Sequence, residues 1–174
     1  MIINQAHEKP IIGSRVYVSP GVIITGSVQI GDDSSIWFNS VIRGDANSII
    51  IGSRTNIQDL CVIHASHQKD DIPDSGQPTI IGNGVSVGHR VIIHAATIED
   101  CCLIGMGAIV MDRAVIRKES IVAAGSLVTK GKTFPERSLI MGSPAKFIKQ
   151  LTDDEIKSIY ANAQSYLDYK KLYE

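Results

Sequence analysis

Aliphatic, β-branched residues recur at every sixth position over most of this chain, with small and polar residues between them. The period holds over residues 12–42, 51–63, 81–93 and 98–128, and its phase changes between these stretches. All eighteen positions of the repeat are Ile or Val: Ile12, Val18, Ile24, Ile30, Ile36, Ile42, Ile51, Ile57, Ile63, Ile81, Val87, Ile93, Ile98, Ile104, Val110, Ile116, Val122 and Val128. This regularity predicts a repeat architecture in which each unit buries its apolar face against the next.

Short strands separated by corners explain a period of six. Each hexapeptide places one aliphatic side chain in the core; β-branched residues suit the extended backbone, and glycine suits the corners. Three hexapeptides close one coil of about 18 residues, and successive coils stack about 4.8 Å apart through parallel hydrogen bonds. The pattern therefore predicts an all-β protein, a parallel β-helix with three strands per coil, and it disfavours a β-sandwich.

A different pattern begins after the repeats. Residues 152–155 (TDDE) form a capping-box sequence, which marks the start of a helix. We expect a repeat domain over residues 1–150 and, within 151–174, a C-terminal helix at roughly 152–172 that packs on the β-helix or on a neighbouring subunit. Its apolar stripe is predicted to consist of Ile156, Ile159, Tyr160, Ala163 and Leu167.

The composition argues against several classes of protein. The 174 residues carry a formal net charge of −1 without a long basic stripe, so no nucleic-acid interface is expected. No apolar run approaches about 18 residues, so no membrane span is expected. The first residues lack the layout of a signal peptide, which makes the cytoplasm the expected location. The three cysteines, Cys61, Cys101 and Cys102, predict buried reduced thiols rather than a disulfide framework.

Two histidines fall at equivalent places on adjacent coils. Residues 67–77 interrupt the repeat and are rich in Asp, Pro and Gly, which predicts a loop. If the loop is an insertion of about twelve residues at a corner, His64 and His94 lie one coil apart, each directly after a core Ile. Their Cβ atoms are then expected about 5 Å apart on one face, where two imidazoles can share a metal ion.

A third histidine, His89, lies five residues before His94 and across a corner. The same count stacks His89 over Asp59 and aims it away from the pair on its own chain. In a trimer about a threefold axis, His89 of one chain would meet His64 and His94 of the next. This predicts three metal sites shared between subunits. The alternative is a cluster of ordinary polar or interface residues.

Several motifs surround these histidines. They are residues 35–45 (SIWFNSVIRGD), 51–59 (IGSRTNIQD), 87–89 (VGH) with His94, 103–108 (LIGMGA) and 142–146 (GSPAK). With them the chain resembles the gamma-class carbonic anhydrase-like family of hexapeptide-repeat proteins, in particular its YrdA/PaaY-type branch. The similarity covers about residues 10–150.

The resemblance implies a left-handed β-helix and a homotrimer. It also implies zinc, or iron or cobalt in some members, on three histidines that bridge two subunits; these match His64, His89 and His94. A metal held by three imidazoles leaves a position for water and lowers the pKa of that water to about 7. The resulting metal-bound hydroxide can attack carbon dioxide to give bicarbonate, which is the reaction of a carbonate dehydratase, a lyase.

Further roles are carried over from the family by position. Gln58 matches the side chain beside the metal-bound water, where it could orient the hydroxide or the substrate. Asn56 matches another polar residue that lines the pocket. A charge network at the subunit interface is matched by Arg43, Asp45 and Asp59. We expect this network to serve trimer assembly rather than catalysis.

The sequence departs from the most active members of the family in two places. Asp45 is followed by Ala46, where those members have a glutamate. The loop also lacks the glutamate that shuttles protons and offers only Asp70, Asp71, Asp74 and His67. His67 is expected to be solvated, with a fourth ligand or a proton relay as alternatives, and His7 is assigned no role. The residues therefore support metal binding better than fast hydration of carbon dioxide.

Two other functions fit the same repeat. A coenzyme-A-dependent acyltransferase or an acyl-CoA thioesterase is the main alternative, since acyltransferases share the hexapeptide β-helix and residues 142–146 also resemble their last coil. Acyltransferases generally need one catalytic histidine, whereas this chain stacks two and places a third across a corner. A non-catalytic subunit of a larger assembly is the remaining alternative.

Overall fold

A computed structural model describes residues 1–4, 8–68, 72 and 75–173. The chain winds into a parallel β-helix of hexapeptide coils, which is followed by the helix α1 (Asp153–Lys170), as the sequence predicts. In chain order the strands are β1 (Ile2–Ile3), β2 (Ile11–Ile12), β3 (Tyr17–Val18), β4 (Ile23–Ile30), β5 (Ser35–Ile36), β6 (Val41–Ile51), β7 (Asn56–Ile57), β8 (Val62–His64), β9 (Thr79–Ile81), β10 (Ser86–Val87), β11 (Ile92–His94), β12 (Thr97–Ile98), β13 (Leu103–Ile104), β14 (Ile109–Val110), β15 (Val115–Ile116), β16 (Ile121–Val122), β17 (Leu127–Val128), β18 (Ser138–Gly142) and β19 (Ala145–Gln150).

The strands form three faces around the core. The first face contains β2, β9, β12 and β15 with the second halves of β4 and β6. The second face contains β1, β8, β11, β14 and β17 with the first halves of the same two strands. The third face contains β3, β5, β7, β10, β13, β16 and β18. Strands within a face pair in parallel, and β19 closes the third face by pairing antiparallel with β18.

The strands β4 and β6 run without a break around the corner between the second and first faces. They pair along both halves, with an irregularity in register between Gly26 and Val28. Gly26 has a φ of 79°, and a Cβ at this position would lie 2.4 Å from the carbonyl oxygen of Gly44. Glycine is therefore required where the two backbones turn the corner against each other. This continuous corner accounts for the change of phase between Ile42 and Ile51.

The core is the aliphatic column that the period predicts. Sixteen of the eighteen repeat positions are buried, while Ile12 and Val18 in the first coil are half-buried and pack against the same cluster. Cys61 and Cys102 are also buried, and burial raises the pKa of each thiol to about 12. Cys101 differs from the prediction because it is only partly covered. Among the described residues, Phe134 in the last coil is the one aromatic side chain of this cluster, and Trp37 is buried outside it.

The helix α1 lies on the third face. Thr152 caps it with the predicted capping box, in which the hydroxyl of Thr152 accepts from the backbone N–H of Glu155. Ile156 and Ile159 pack with Leu151 on partly buried leucine and isoleucine side chains of the third face. Tyr160 was predicted to join this stripe, but it is exposed and donates its hydroxyl to Glu119. No helix among the described residues has the length and apolarity needed to cross a membrane.

Candidate metal centre

His64 and His94 are paired on the second face. Each is the last residue of its strand, β8 or β11, and the two stand opposite each other in the parallel register. Because alternate side chains of a strand point to opposite sides, both imidazoles point outward next to the inward-facing Ile63 and Ile93. The ring centroids lie 5.2 Å apart at an interplanar angle of 48°. The predicted register is confirmed.

Each ring of this pair contacts a carboxylate. Nε2 of His64 lies 3.1 Å from Oδ1 of Asp45, and Nδ1 of His94 lies 3.1 Å from Oδ2 of Asp112. Burial lowers the pKa of His64, and the contact with Asp45 offsets this only in part. Burial opposes the ionisation of Asp45, yet the hydrogen bonds from Arg43 and His64 outweigh burial and hold the pKa of Asp45 below its usual value.

His89 lies at the corner between the third and second faces. Its Nδ1 lies 2.6 Å from Oδ2 of Asp59, so the predicted stacking of these two residues is confirmed. The residue before it, Gly88, passes so close to the next coil that a Cβ would lie 2.8 Å from the backbone nitrogen of Met106. This glycine fixes the path of the backbone into His89. Within the described part of a single chain, no three His, Cys, Asp or Glu side chains converge on one point that could hold a metal ion.

Two buried amides lie beside His89 under α1. Nε2 of Gln58 donates to Oδ1 of Asn56 over 3.1 Å, and Nδ2 of Asn56 donates to Oγ of Ser86 over 2.9 Å. Gln58, Ser86 and His89 line one groove of about 420 Å³, which is otherwise mostly apolar. Asn56 and Gln58 therefore lie together on the same side as His89, and the groove gives access to Gln58.

The charge network divides into two halves within one chain. Arg43 pairs with Asp45 at a distance of 2.5 Å beside His64, and both lie on the second face. Asp59 lies with His89 at the corner. Each half thus lies beside a different part of the predicted three-histidine set: Arg43 and Asp45 lie beside His64, and Asp59 lies beside His89.

Three residues of this region are absent from the predictions. Asp112 contacts His94, while Asn162 and Tyr166 extend from α1 into the groove lined by Gln58 and His89. Oδ1 of Asn162 is buried and has no hydrogen-bond partner among the described residues. Burial raises the pKa of Tyr166 to about 12. The period of the β-helix does not indicate how α1 is rotated on the third face. The repeat therefore could not predict that Asn162 and Tyr166 face the groove.

His67 and Ala46 are the remaining candidate residues that the structure describes. His67 is exposed at the start of the loop, which a bridge between Ser66 and Gln77 closes at its base. Ala46 lies within β6. His7, Asp70, Asp71 and Asp74 lie outside the described residues.

Comparison with known proteins identifies relatives along the whole chain. The family described as bacterial transferase hexapeptide (six repeats) matches residues 9–44. A carbonic anhydrase of Geobacillus kaustophilus is 41% identical over 174 residues, which cover 100% of this chain and 91% of that protein. The protein YrdA of Escherichia coli is 40% identical over 164 residues, which cover 94% and 89% of the two chains.

Two further comparisons bear on length and on fold. Gamma carbonic anhydrase 2, mitochondrial, of Arabidopsis thaliana is 41% identical over 99% of this chain, but the chain spans only 61% of that longer protein. Among solved structures, a Bacillus cereus protein that carries the name of an acetyltransferase is 42% identical with a TM-score of 0.93, covering 99% of this chain and 96% of that one.

Proposed function

The chain belongs to the family of gamma carbonic anhydrases and their YrdA-type relatives, and we propose from this membership that it hydrates carbon dioxide to bicarbonate. The proposed sites hold a metal ion between the subunits of a homotrimer. The observation that carries the proposal is the pairing of His64 with His94 across two coils, since it supplies half of a three-histidine site on one face. A cytoplasmic location stays a prediction.

The histidines fit a divalent metal ion. His89 and His94 each engage a carboxylate through Nδ1, which leaves Nε2 of both rings for a ligand bond. A carboxylate placed in this way fixes the ring and the tautomer of a metal-binding histidine. We assign zinc, with iron and cobalt as alternatives, because three imidazoles are a ligand set of catalytic zinc. When bound, the metal supplies the Lewis acidity that ionises water near neutral pH.

The surface around the pair suits a subunit interface. A row of exposed aliphatic side chains crosses the second face: Ile23, Val62, Ile92 and Ile109. Contiguous exposed apolar side chains are typical of protein–protein contacts. We assign this row to the contact with the neighbouring chain, whose corner would bring His89 to the pair. The metal would then replace the contact between His64 and Asp45, and Arg43 keeps Asp45 paired.

The chain's own polar residues can orient the reactants. Gln58 lies in the groove next to His89, and its amide is held by Asn56, so it can hydrogen-bond a water molecule or the substrate at a fixed position. The neighbouring apolar wall of the groove suits carbon dioxide, which carries no net charge. Ala46 cannot accept a proton, so we expect turnover slower than in relatives that carry a glutamate after the Arg-x-Asp motif.

The test is metal analysis of the full-length protein purified without oxygen, followed by stopped-flow hydration of carbon dioxide with and without added zinc, iron(II) or cobalt(II). We expect about one metal ion per chain and activity that depends on it. His94→Ala should lose both metal and activity, whereas His67→Ala, in the exposed loop, should keep both. A protein that binds no stoichiometric metal, or whose activity survives chelation, would contradict the proposal.

Acyl transfer from coenzyme A, or hydrolysis of an acyl-CoA, is the second candidate. It is favoured by one observation, the structural match to the Bacillus cereus protein that carries the name of an acetyltransferase. The two functions differ in their need for metal. Release of free coenzyme A from acetyl-CoA by the chelated protein, with or without an added amine or hydroxyl acceptor, would favour this candidate over hydration.

A further inference from the structure

Asn56 is placed between two buried serines on the third face. In the parallel register it stands opposite Ser35 of β5 on one side and opposite Ser86 of β10 on the other. Ser35 is 2% exposed and Ser86 is 1% exposed, so both hydroxyls are removed from solvent. Two chemically identical side chains thus flank the same amide, one on each neighbouring coil.

Of the two serines, Ser86 accepts a hydrogen bond from the side-chain amide of Asn56. Nδ2 of Asn56 donates to Oγ of Ser86 over 2.9 Å. Oγ of Ser35 instead accepts from Nε1 of Trp37 over 2.9 Å. Ser35 thus accepts from the indole, and Ser86 is the serine that accepts from the amide nitrogen. Within the described chain, this arrangement gives the two serines different roles although their burial and register are equivalent.

The bonds to Ser86 and to Gln58 use opposite ends of the Asn56 amide. With its nitrogen on Ser86, Asn56 turns Oδ1 towards Gln58 and accepts from Nε2 of that residue. Gln58 then keeps Oε1 as the acceptor of its amide. If the acceptor at position 86 were removed, the buried nitrogen of Asn56 would lose its partner, and an unpaired buried N–H is costly. Turning the Asn56 amide over would pair that nitrogen with Oε1 of Gln58 and reverse the Gln58 amide.

We propose that Ser86 is a positioning residue: its hydroxyl anchors Asn56, and through Asn56 it sets the orientation of the Gln58 amide in the groove beside His89. The anchoring rests on hydrogen bonds within one chain, and its effect on turnover rests on the function proposed above. Ser86 itself need not touch the reacting atoms. Its contribution is a single buried hydroxyl that keeps an acceptor available on Gln58.

The experiment compares Ser86→Ala with Ser35→Ala in the full-length protein. The first readout is the side-chain amide signals of Asn56 and Gln58 in ¹⁵N-edited NMR spectra, with their hydrogen-exchange rates. We expect Ser86→Ala to shift both signals and to speed their exchange, because the amide pair loses its anchor. Ser35→Ala should leave both signals at their wild-type positions, although both variants lose a buried hydroxyl.

The second readout is the kinetics of carbon dioxide hydration by the metal-loaded variants at equal metal content. Ser86→Ala should lower kcat about three- to tenfold with little change in KM and should alter the pH profile, whereas Ser35→Ala should not. Should Ser86→Ala fail to assemble, Ser86→Thr and Ser86→Val carry the same comparison, because they share a shape and differ by the hydroxyl.

Two results would overturn the inference. The first is an amide spectrum of Ser86→Ala that matches that of Ser35→Ala, since the anchor would then be dispensable. The second is a reoriented amide with unchanged kcat and pH profile, since Ser86 would then have no positioning role. If the metal-loaded wild type hydrates no carbon dioxide, the proposed function fails, while the amide spectra still decide whether Ser86 anchors Asn56.

Discussion

Nδ1 of His94 lies 3.1 Å from Oδ2 of Asp112, a carboxylate in the turn after β14. The strand register places Val110 opposite Ile93, so Asp112 lies one residue beyond the position level with His94. The carboxylate reaches back along the second face to the ring. Each proposed ligand thus has its own acidic partner, and these partners come from three different coils.

Replacing Asp112 with Asn should weaken metal binding without unfolding the protein. The amide keeps the shape but loses the charge that orients and polarises the imidazole, and such losses cost about 10–100-fold in metal affinity. Competition with a chromophoric chelator measures this affinity. Asp154→Asn is the matched control, because that carboxylate is exposed in α1. If the two variants bind metal with equal affinity, Asp112 does not contribute to the metal site.

A shared site predicts complementation between two inactive variants. His89→Ala keeps the His64–His94 pair, and His94→Ala keeps His89. Co-assembly of equal amounts should therefore restore about one site in four in randomly mixed trimers, measured as metal per chain. Each variant alone should bind almost none.

The matched control for this experiment mixes His64→Ala with His94→Ala. Both variants are damaged in the same half of the site, so no arrangement of these chains joins an intact pair to a neighbour. Metal recovery in this control mixture, or full metal binding by His89→Ala alone, would contradict the proposed division of the three ligands between two chains, and no recovery in the His89→Ala and His94→Ala mixture would show that each chain builds its site by itself.

The ion pairs of Asp33 with Arg15 and Lys170 predict that the free energy of unfolding depends on pH in the acidic range. The hydrogen bond from Arg15 holds the pKa of Asp33 at about 2, below its ordinary 3.8, and Lys170 adds to this effect. A carboxylate with a lowered folded-state pKa stabilises the protein above its unfolded pKa. We therefore expect this contribution to be complete above about pH 5 and to fade as the pH falls towards 2.

Urea unfolding of wild type and Asp33→Asn across this range measures the effect. The difference in the free energy of unfolding should be constant near neutral pH and shrink below about pH 4. Asp154→Asn, whose carboxylate is exposed, should change stability by no more than about 0.5 kcal/mol. If the difference in the free energy of unfolding between wild type and Asp33→Asn grows as the pH falls, the prediction is wrong.

The two neighbouring isoleucines of β9 should differ in their contribution to stability. Ile81 is 1% exposed in the core, and Ile80 is 37% exposed on the first face. Ile81→Ala should lower the free energy of unfolding by about 2–5 kcal/mol because it leaves a cavity, whereas Ile80→Ala should cost about 0.5 kcal/mol. Chemical denaturation measures both. Similar losses would mean that the first face is covered in the native assembly.

The spacing of isoleucines, with the loop taken as an insertion of about twelve residues, was sufficient to align His64 with His94 and His89 with Asp59. A parallel β-helix has one register per coil, so a count along the chain becomes a distance between side chains. The prediction held across the inserted loop because the loop leaves and returns at the same corner, where Ser66 and Gln77 pair. Sequence counting works here because the repeat is nearly one-dimensional.

The same counting does not find Asp112 or the residues of α1. The coil after Ile93 is shorter by one residue, so the position level with His94 is Met111, and only the turn brings Asp112 to the ring. Asn162 and Tyr166 depend on how α1 is rotated on the third face, which packing decides. Tyr160 shows this, because helical spacing placed it inward and the structure places it outward.

The buried ammonium of Lys170 joins the last turn of α1 to the first two coils. Its Nζ donates to the backbone carbonyl oxygens of Arg15, over 2.6 Å, and Asp33, 155 and 137 residues earlier in the chain. The last turn of α1 has no docking site until the first two coils have formed. During synthesis those coils emerge before α1, which places Tyr166 on Trp37, and before the turn after α1, which places Tyr173 on Tyr17. Until α1 has docked, the β-helix therefore exposes this aromatic surface, and transiently exposed apolar surface makes a folding intermediate prone to aggregate.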